Sequence, residues 1–218
     1  MVNELNVKEK IPTSGSVKKV VIFLHGYGAD GADLFSLSDP LSEQLPDCFF
    51  ASPDAPRKCG ASPYGYEWFP IPDIDGSTFP DMMKALASSE KLIIKLIDGY
   101  KKRFSLDYQD IVLLGFSQGC MISYALSINY PENFKKAVGL SGKITYEIIE
   151  FDVEFDYSNH NFFCSHGIND HVIPIEIGRE SNEWFNEKKI KHEYHEFESA
   201  HAINSDNFTK MNLWLSKN

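Results

Sequence analysis

Four apolar residues, Ile111–Leu114, run straight into Gly115-Phe116-Ser117-Gln118-Gly119, and this stretch limits the possible folds more tightly than any other. A short, continuous apolar run reads as a strand buried on both faces, as in a parallel sheet covered by helices. The residues from Gln118 to Asn129 suit a helix that stops ahead of Pro131. A strand that turns abruptly into a helix holds one residue at its apex in a strained backbone conformation. Side chains two positions away on either side would collide, which accounts for Gly115 and Gly119. The alternative is a serine in an ordinary tight turn.

The rest of the chain repeats the same alternation. Strands are predicted at Lys19–Leu24, Cys48–Ser52, Asp110–Leu114, Lys136–Leu140, Asn161–Ser165 and His192–Phe197. Between them, Met82, Leu86, Ile93, Ile97, Tyr100 and Phe104 form one helical stripe over Asp81–Phe104, with Pro80 as a good first-turn residue. Pro174–Lys188 and Ala202–Ser216 also look amphipathic. This order predicts an α/β fold with a mostly parallel, doubly wound sheet and helices on both faces. A length of 218 residues suits one domain, 1–218, with 1–17 as an N-terminal arm or edge strand. Two stretches interrupt the pattern: the proline- and aromatic-rich Ser52–Ser77 and the acidic Gly142–Asn159. Both are functional-loop candidates or plain surface excursions.

Charge and cysteines narrow the class. A net charge of −10 disfavours a nucleic-acid partner, whose readers are usually basic. No apolar stretch approaches the roughly 18 residues that cross a bilayer. The first residues show no basic segment followed by an apolar one, so a cytoplasmic location is expected. Cys48, Cys59, Cys120 and Cys164 have no CxxC spacing and read as reduced thiols, neither a disulfide framework nor a metal site.

A serine at the apex of such a turn matches the G-x-S-x-G nucleophile elbow, which places a hydroxyl above the sheet and next to a helix N-terminus. A hydroxyl attacks only when a base removes its proton, usually a His oriented by a carboxylate, in the chain order Ser, Asp/Glu, His. His160, His166, His171, His192, His195 and His201 follow Ser117. His160, His192 and His195 fall in strand patterns, and His166 and His171 in the loop after Ser165. Only His201 stands between the last strand and the last helix, where a base can pivot; its alternative is a surface or capping histidine. Asp170 follows a strand and a permissive Gly167, and is the expected orienting acid or else a helix N-cap. Asp152 and Asp156 are weaker rivals. Oxyanion donors are expected from the N–H groups of Gln118 and of Tyr27 in His25-Gly26-Tyr27-Gly28, a segment that otherwise reads as a glycine-rich turn. His25 reads as a structural hydrogen-bonder.

FLHGYG with GADG, SPDAP, GYEWF, GFSQGC, HGINDHVIP and SAHAI, taken in this order, resemble the carboxylesterase / acyl-protein thioesterase / lysophospholipase family of small α/β-hydrolases. The resemblance spans Val20 to His201. It implies an α/β-hydrolase fold with little or no cap, a Ser117–Asp170–His201 triad, and Tyr27 and Gln118 as oxyanion donors. It also implies substrate contacts at Trp68, Phe69 and Val172. The implied chemistry is hydrolysis of a small, possibly lipid-like, carboxylic ester or thioester through an acyl-enzyme. No cofactor or metal is needed, and a homodimer is possible. A peptidase, a lactone hydrolase or a non-catalytic binding protein on the same fold are the alternatives. Cys120, where the family often has glycine, is expected to pack and not to react. Gly142–Asn159 matches no family motif.

Overall fold

Residues 5–217 are described by the computed structural model, so 1–4 of the N-terminal arm lie outside the described residues. The chain groups into two compact units, one up to Ile111 and one from Val112.

In the first unit, β2 (Lys19–Leu24) pairs parallel with β3 (Cys48–Pro53), and β1 (Val7–Lys10) pairs antiparallel with β3, Val7 opposite Pro53. The described part of the arm therefore supplies a strand, one of the two forms expected for it. β2 and β3 are buried almost throughout, as their apolar runs require. Helices α1 (Gly31–Phe35) and α2 (Ser38–Gln44), the short hairpin β4 (Arg57–Lys58)–β5 (Tyr66–Glu67) and α3 (Pro72–Asp75) have no periodic signal in the sequence. Helix α4 (Phe79–Phe104) starts two residues before the predicted stripe. A capping box explains the start: the Thr78 hydroxyl accepts the Asp81 N–H, and the Asp81 carboxylate accepts the Thr78 N–H. Its stripe meets β3, where the Phe49 ring lies 5.1 Å from Tyr100 and 4.8 Å from Phe104.

The second unit contains β6 (Ile111–Phe116), α5 (Gln118–Asn129), β7 (Lys136–Leu140), β8 (Asn161–Gly167), α6 (Ile175–Glu187), β9 (His192–Phe197) and α7 (Ser205–Lys217). Its four strands run parallel in the order β6-β7-β8-β9. Phe162 of β8 touches Tyr124 of α5 and Phe185 of α6, whereas its neighbour Phe163 faces Trp214 of α7. Successive strand residues point to opposite faces, so α5 and α6 cover one face and α7 the other. Helix α5 is buried from Gln118 to Ile128, the reason it has no polar stripe.

Among the boundaries that differ from the sequence reading, three more have a clear reason. Strand β6 begins after Asp110, which closes a capped turn with Asp107, and continues through Gly115 and Phe116, which pair with Gly139 and Leu140. Strand β8 extends to Gly167 by pairing with β9, so His166 belongs to a strand and not to the following loop. Helix α7 starts at Ser205 because the Asn204 side chain accepts the Asn207 N–H, which leaves 202–204 in the loop. The four cysteines are free and buried. Among the described residues no helix is long and apolar enough to cross a membrane.

Candidate active site

The β6–α5 junction is strained where the sequence calls for strain. Ser117 has φ 54° and ψ −116°, outside the regions open to ordinary L-residues. A Cβ on Gly115 would lie 2.0 Å from the Gly119 carbonyl oxygen. The strand end and the first helical turn thus touch backbone to backbone, and a side chain at Gly115 would drive them apart. The Ser117 N–H donates to the Leu140 oxygen at 2.9 Å, which anchors the apex to β7. Gln118 is the first residue of α5, so its N–H lies at the positive end of the helix.

The same crowding holds the next turn. A Cβ on Gly142 would sit 2.5 Å from the Cys120 sulfur and 2.8 Å from the Ser117 oxygen. Tyr124 lies across Gly139 and its hydroxyl bonds to the thiols of Cys120 and Cys164. Burial pushes the Cys120 thiol well above its usual value and the Cys164 thiol up to about 12. Cys120 packs as a neutral thiol.

The loops after β8 and β9 are sewn together. The Ile168 N–H donates to the Phe197 oxygen at 2.8 Å and the Asn169 N–H to the Ser199 oxygen at 3.0 Å. Gly167 permits this: a Cβ there would lie 2.5 Å from the Ser199 oxygen and 2.3 Å from that of Ala200. His201 follows immediately, and its Nδ1 lies 2.7 Å from Asp170 Oδ2. A carboxylate only accepts, so Nδ1 carries the hydrogen and Nε2 has the basic lone pair. The imidazole centroid is 4.8 Å from the Phe116 ring, beside the residue that precedes Ser117.

Asp170 is buried, and its Oδ1 accepts the N–H groups of Val172 at 2.8 Å and Ile173 at 2.9 Å. Burial alone would raise its carboxyl pKa. The His201 bond and the two backbone donors outweigh burial and hold it below the usual carboxylate value. It therefore stays ionised and suited to steady an imidazolium. Asp156 instead caps Ser158, and Asp152 accepts the Glu154 N–H.

The other histidines are committed elsewhere. His192 bonds the Ile190 oxygen and the Asn182 side chain, and His195 stacks on Phe163. His160 sits among Phe155, Tyr157 and Phe162, where burial lowers it to about 4. His171 is exposed. His166 was not singled out in the sequence, yet its Nε2 is 3.4 Å from Asp170 Oδ2. The signal for it is its place immediately after the predicted strand end, Ser165.

In the first unit, the His25–Gly28 loop is rigid. The Ala55 N–H donates to His25 Nε2 at 3.0 Å, and His25 Nδ1 donates to the Gly26 oxygen at 2.8 Å. His25 is the structural hydrogen-bonder expected, and burial lowers its pKa. Gly28 has φ 77°, and its N–H donates to the Tyr66 oxygen at 2.9 Å while the Tyr66 N–H returns to Ala29 at 2.7 Å. The Tyr27 hydroxyl reaches Asp75 at 3.3 Å. Trp68 is fully buried and donates from Nε1 to the His25 oxygen at 2.9 Å; Phe69 is buried beside it in sequence. Val172 is 67% exposed on the Asp170 loop. A groove of about 930 Å³ in this unit, lined by Asp54, Arg57, Tyr66, Asp81, Lys84 and Leu92 among others, contains none of Ser117, Asp170 and His201. Among the described residues no group of three or more His, Cys, Asp or Glu could hold a metal ion.

Residues 6–218 match the family model described as Phospholipase/Carboxylesterase. Acyl-protein thioesterase 1 of Yarrowia lipolytica is 27% identical over 228 residues, covering 96% of each chain. Acyl-protein thioesterase 1 of Saccharomyces cerevisiae is 29% identical over 196 residues, 84% of this chain and 82% of its own. Among solved structures, esterase PE8 matches with a TM-score of 0.84 and 27% identity over 99% of both chains. The carboxylesterase of Bacillus cereus matches with a TM-score of 0.79 at 18% identity, over 98% of this chain and 94% of its own. The fold is that of the α/β-hydrolases, mostly parallel, as the sequence predicts.

Proposed function

The chain belongs to the phospholipase/carboxylesterase family, and from that membership we propose that it hydrolyses carboxylic esters or thioesters through Ser117, His201 and Asp170. The observation that carries the reading is the 2.7 Å His201–Asp170 bond, with its imidazole against Phe116 one residue from a strained Ser117.

In the proposed mechanism, His201 Nε2 takes the Ser117 proton as Oγ attacks the carbonyl carbon. The ionised Asp170 stabilises the resulting imidazolium. The oxyanion is held by the Gln118 N–H and, on the strength of its HGYG motif, the Tyr27 N–H. The C–O or C–S bond then breaks and the leaving alcohol or thiol takes the proton from His201. Water, deprotonated by the same nitrogen, attacks the acyl-serine and releases the acid and the free serine. The relatives named acyl-protein thioesterases support a thioester substrate and the phospholipase/carboxylesterase family an ester; a lipid-like acyl part belongs to the proposal. Trp68, Phe69 and Val172 are the proposed acyl contacts, and the exposed Val172 is the one among them open to solvent. A cytoplasmic location and a homodimer are further parts of the proposal.

The test is turnover of p-nitrophenyl esters from acetate to palmitate and of an acyl thioester by the purified chain. Hydrolysis of both is expected, with Ser117→Ala and His201→Ala each lowering kcat by roughly 10⁴-fold or more. Trp68→Ala should change the chain-length profile. Activity retained by Ser117→Ala would refute the assignment.

A further inference from the structure

A second histidine serves the carboxylate that orients the base. His166 is buried in β8, and its Nε2 lies 2.8 Å from the Ile173 carbonyl oxygen. A carbonyl only accepts, so Nε2 carries the hydrogen. Ile173 is the residue whose own N–H donates to Asp170 Oδ1. The chain of bonds therefore runs from the His166 N–H to the Ile173 carbonyl, and from the Ile173 N–H to Asp170. The same His166 nitrogen is 3.4 Å from Asp170 Oδ2, the oxygen that meets His201.

The loop that carries Asp170 needs such a tie. His171 and Val172 point to solvent, Ile168 is 37% exposed and Pro174 is exposed too. The first half of the loop is fixed by Ile168 and Asn169 to the Phe197–Ser199 strand end. The second half, which supplies both N–H groups to Oδ1, is joined to the interior by His166. Helix α6 leaves room for the ring: a Cβ on Gly178 would lie 2.6 Å from His166 Nδ1. Any larger residue at 178 must displace the imidazole.

We propose that His166 is a positioning residue for the acid of the triad, holding the Ile173 carbonyl and hence the backbone cradle that aims Asp170 at His201. The inference rests on the triad reading above. An acid that can swing lets the imidazole swing with it, and errors of about 1 Å in such sites cost roughly a hundredfold in rate.

Four variants of the full chain decide it, each read for kcat, KM and melting temperature on one p-nitrophenyl ester. His166→Phe removes the donor. His166→Gln keeps an N–H at the reach of Nε2. Gly178→Ala keeps the identity of every functional side chain but displaces the His166 ring. His166→Phe should lower kcat by roughly ten- to a hundredfold with KM within about twofold of wild type. His166→Gln should restore kcat to within about threefold, and Gly178→Ala should fall between them. A folded His166→Phe protein with kcat within about twofold of wild type, or a His166→Gln protein as slow as His166→Phe, overturns the proposal. If His166→Phe does not fold, wild-type kcat in Gly178→Ala overturns it instead. Ser117→Ala, the fourth variant, separates the two failures. If it is inactive while His166→Phe is fully active, only the positioning role falls; if it turns over substrate, the triad reading falls and the positioning role with it.

Discussion

Two glycine-guarded turns, one in each unit, use the same residue type for different ends. At the β6–α5 elbow, Gly115 and Gly119 are four residues apart and press on each other, and Ser117 sits between them at φ 54° with one anchor, the Leu140 oxygen, from outside the motif. The strain is local. The His25–Gly28 loop is held from far along the chain: by Ala55 and Trp68, 30 and 43 residues from His25, and by the Gly65–Tyr66 backbone. There the glycine that matters most for close approach is Gly65, whose Cβ would lie 1.8 Å from the Gly28 oxygen, yet Gly65 stands outside the HGYG motif. A strained apex can be written in five consecutive residues, whereas a rigid donor loop needs a scaffold that the motif does not contain.

The sharpest way to break the comparison is to fill the two glycines. Gly115→Ala should cost on the order of 3 kcal/mol in chemical denaturation and abolish esterase activity, because both clashing groups belong to regular elements that cannot give. Gly65→Ala should cost less stability, about 1–2 kcal/mol, since a loop can shift where a strand and a helix cannot. Its effect on turnover should still be large, roughly a hundredfold or more in kcat, if the Tyr27 N–H is an oxyanion donor. Equal stability losses in the two variants would erase the distinction between local and imported constraint. Trp68→Phe keeps an aromatic ring but removes the Nε1 donor to His25 and part of a fully buried indole, and denaturation should show a loss of at least about 1 kcal/mol.

The smallest effect at neutral pH concerns the buried histidines, His25 in the first unit and His160 in the second. Burial keeps both below their ordinary value, His160 near 4. The unfolded chain binds their protons at about 6.5 and the folded chain does not. Stability should therefore fall as pH drops below about 6.5, with the His160 contribution exhausted near 4. Melting curves should show a shallower acid slope for His160→Phe than for wild type; an unchanged slope would remove His160 from the account.

The same contrast explains what the sequence could disclose. Strands such as β2, β7 and β9 are legible to the residue because apolar run length and flanking breaks are local signals. Ser117, Asp170 and His201 stood out because each occupies a loop edge with its own short motif. The β4–β5 hairpin and α1 leave no periodic signal because the hairpin is bonded to Gly28 and Ala29 and the α1 start to Asp54, while α2 and α3 are too short to show a period. His166 reads as a loop residue because the end of β8 is set by pairing with β9, and a register of that kind is invisible in one strand read alone. For Trp68 composition offers a clustered aromatic, but not that its indole is buried against His25, a contact 43 residues long.

Mass spectrometry of the chain after reaction with a fluorophosphonate ester tests the central claim most directly. The account predicts a single phosphonyl adduct on Ser117, absent from Ser117→Ala and formed far more slowly by His201→Ala. An adduct on another serine, or labelling of His201→Ala at the wild-type rate, would contradict it.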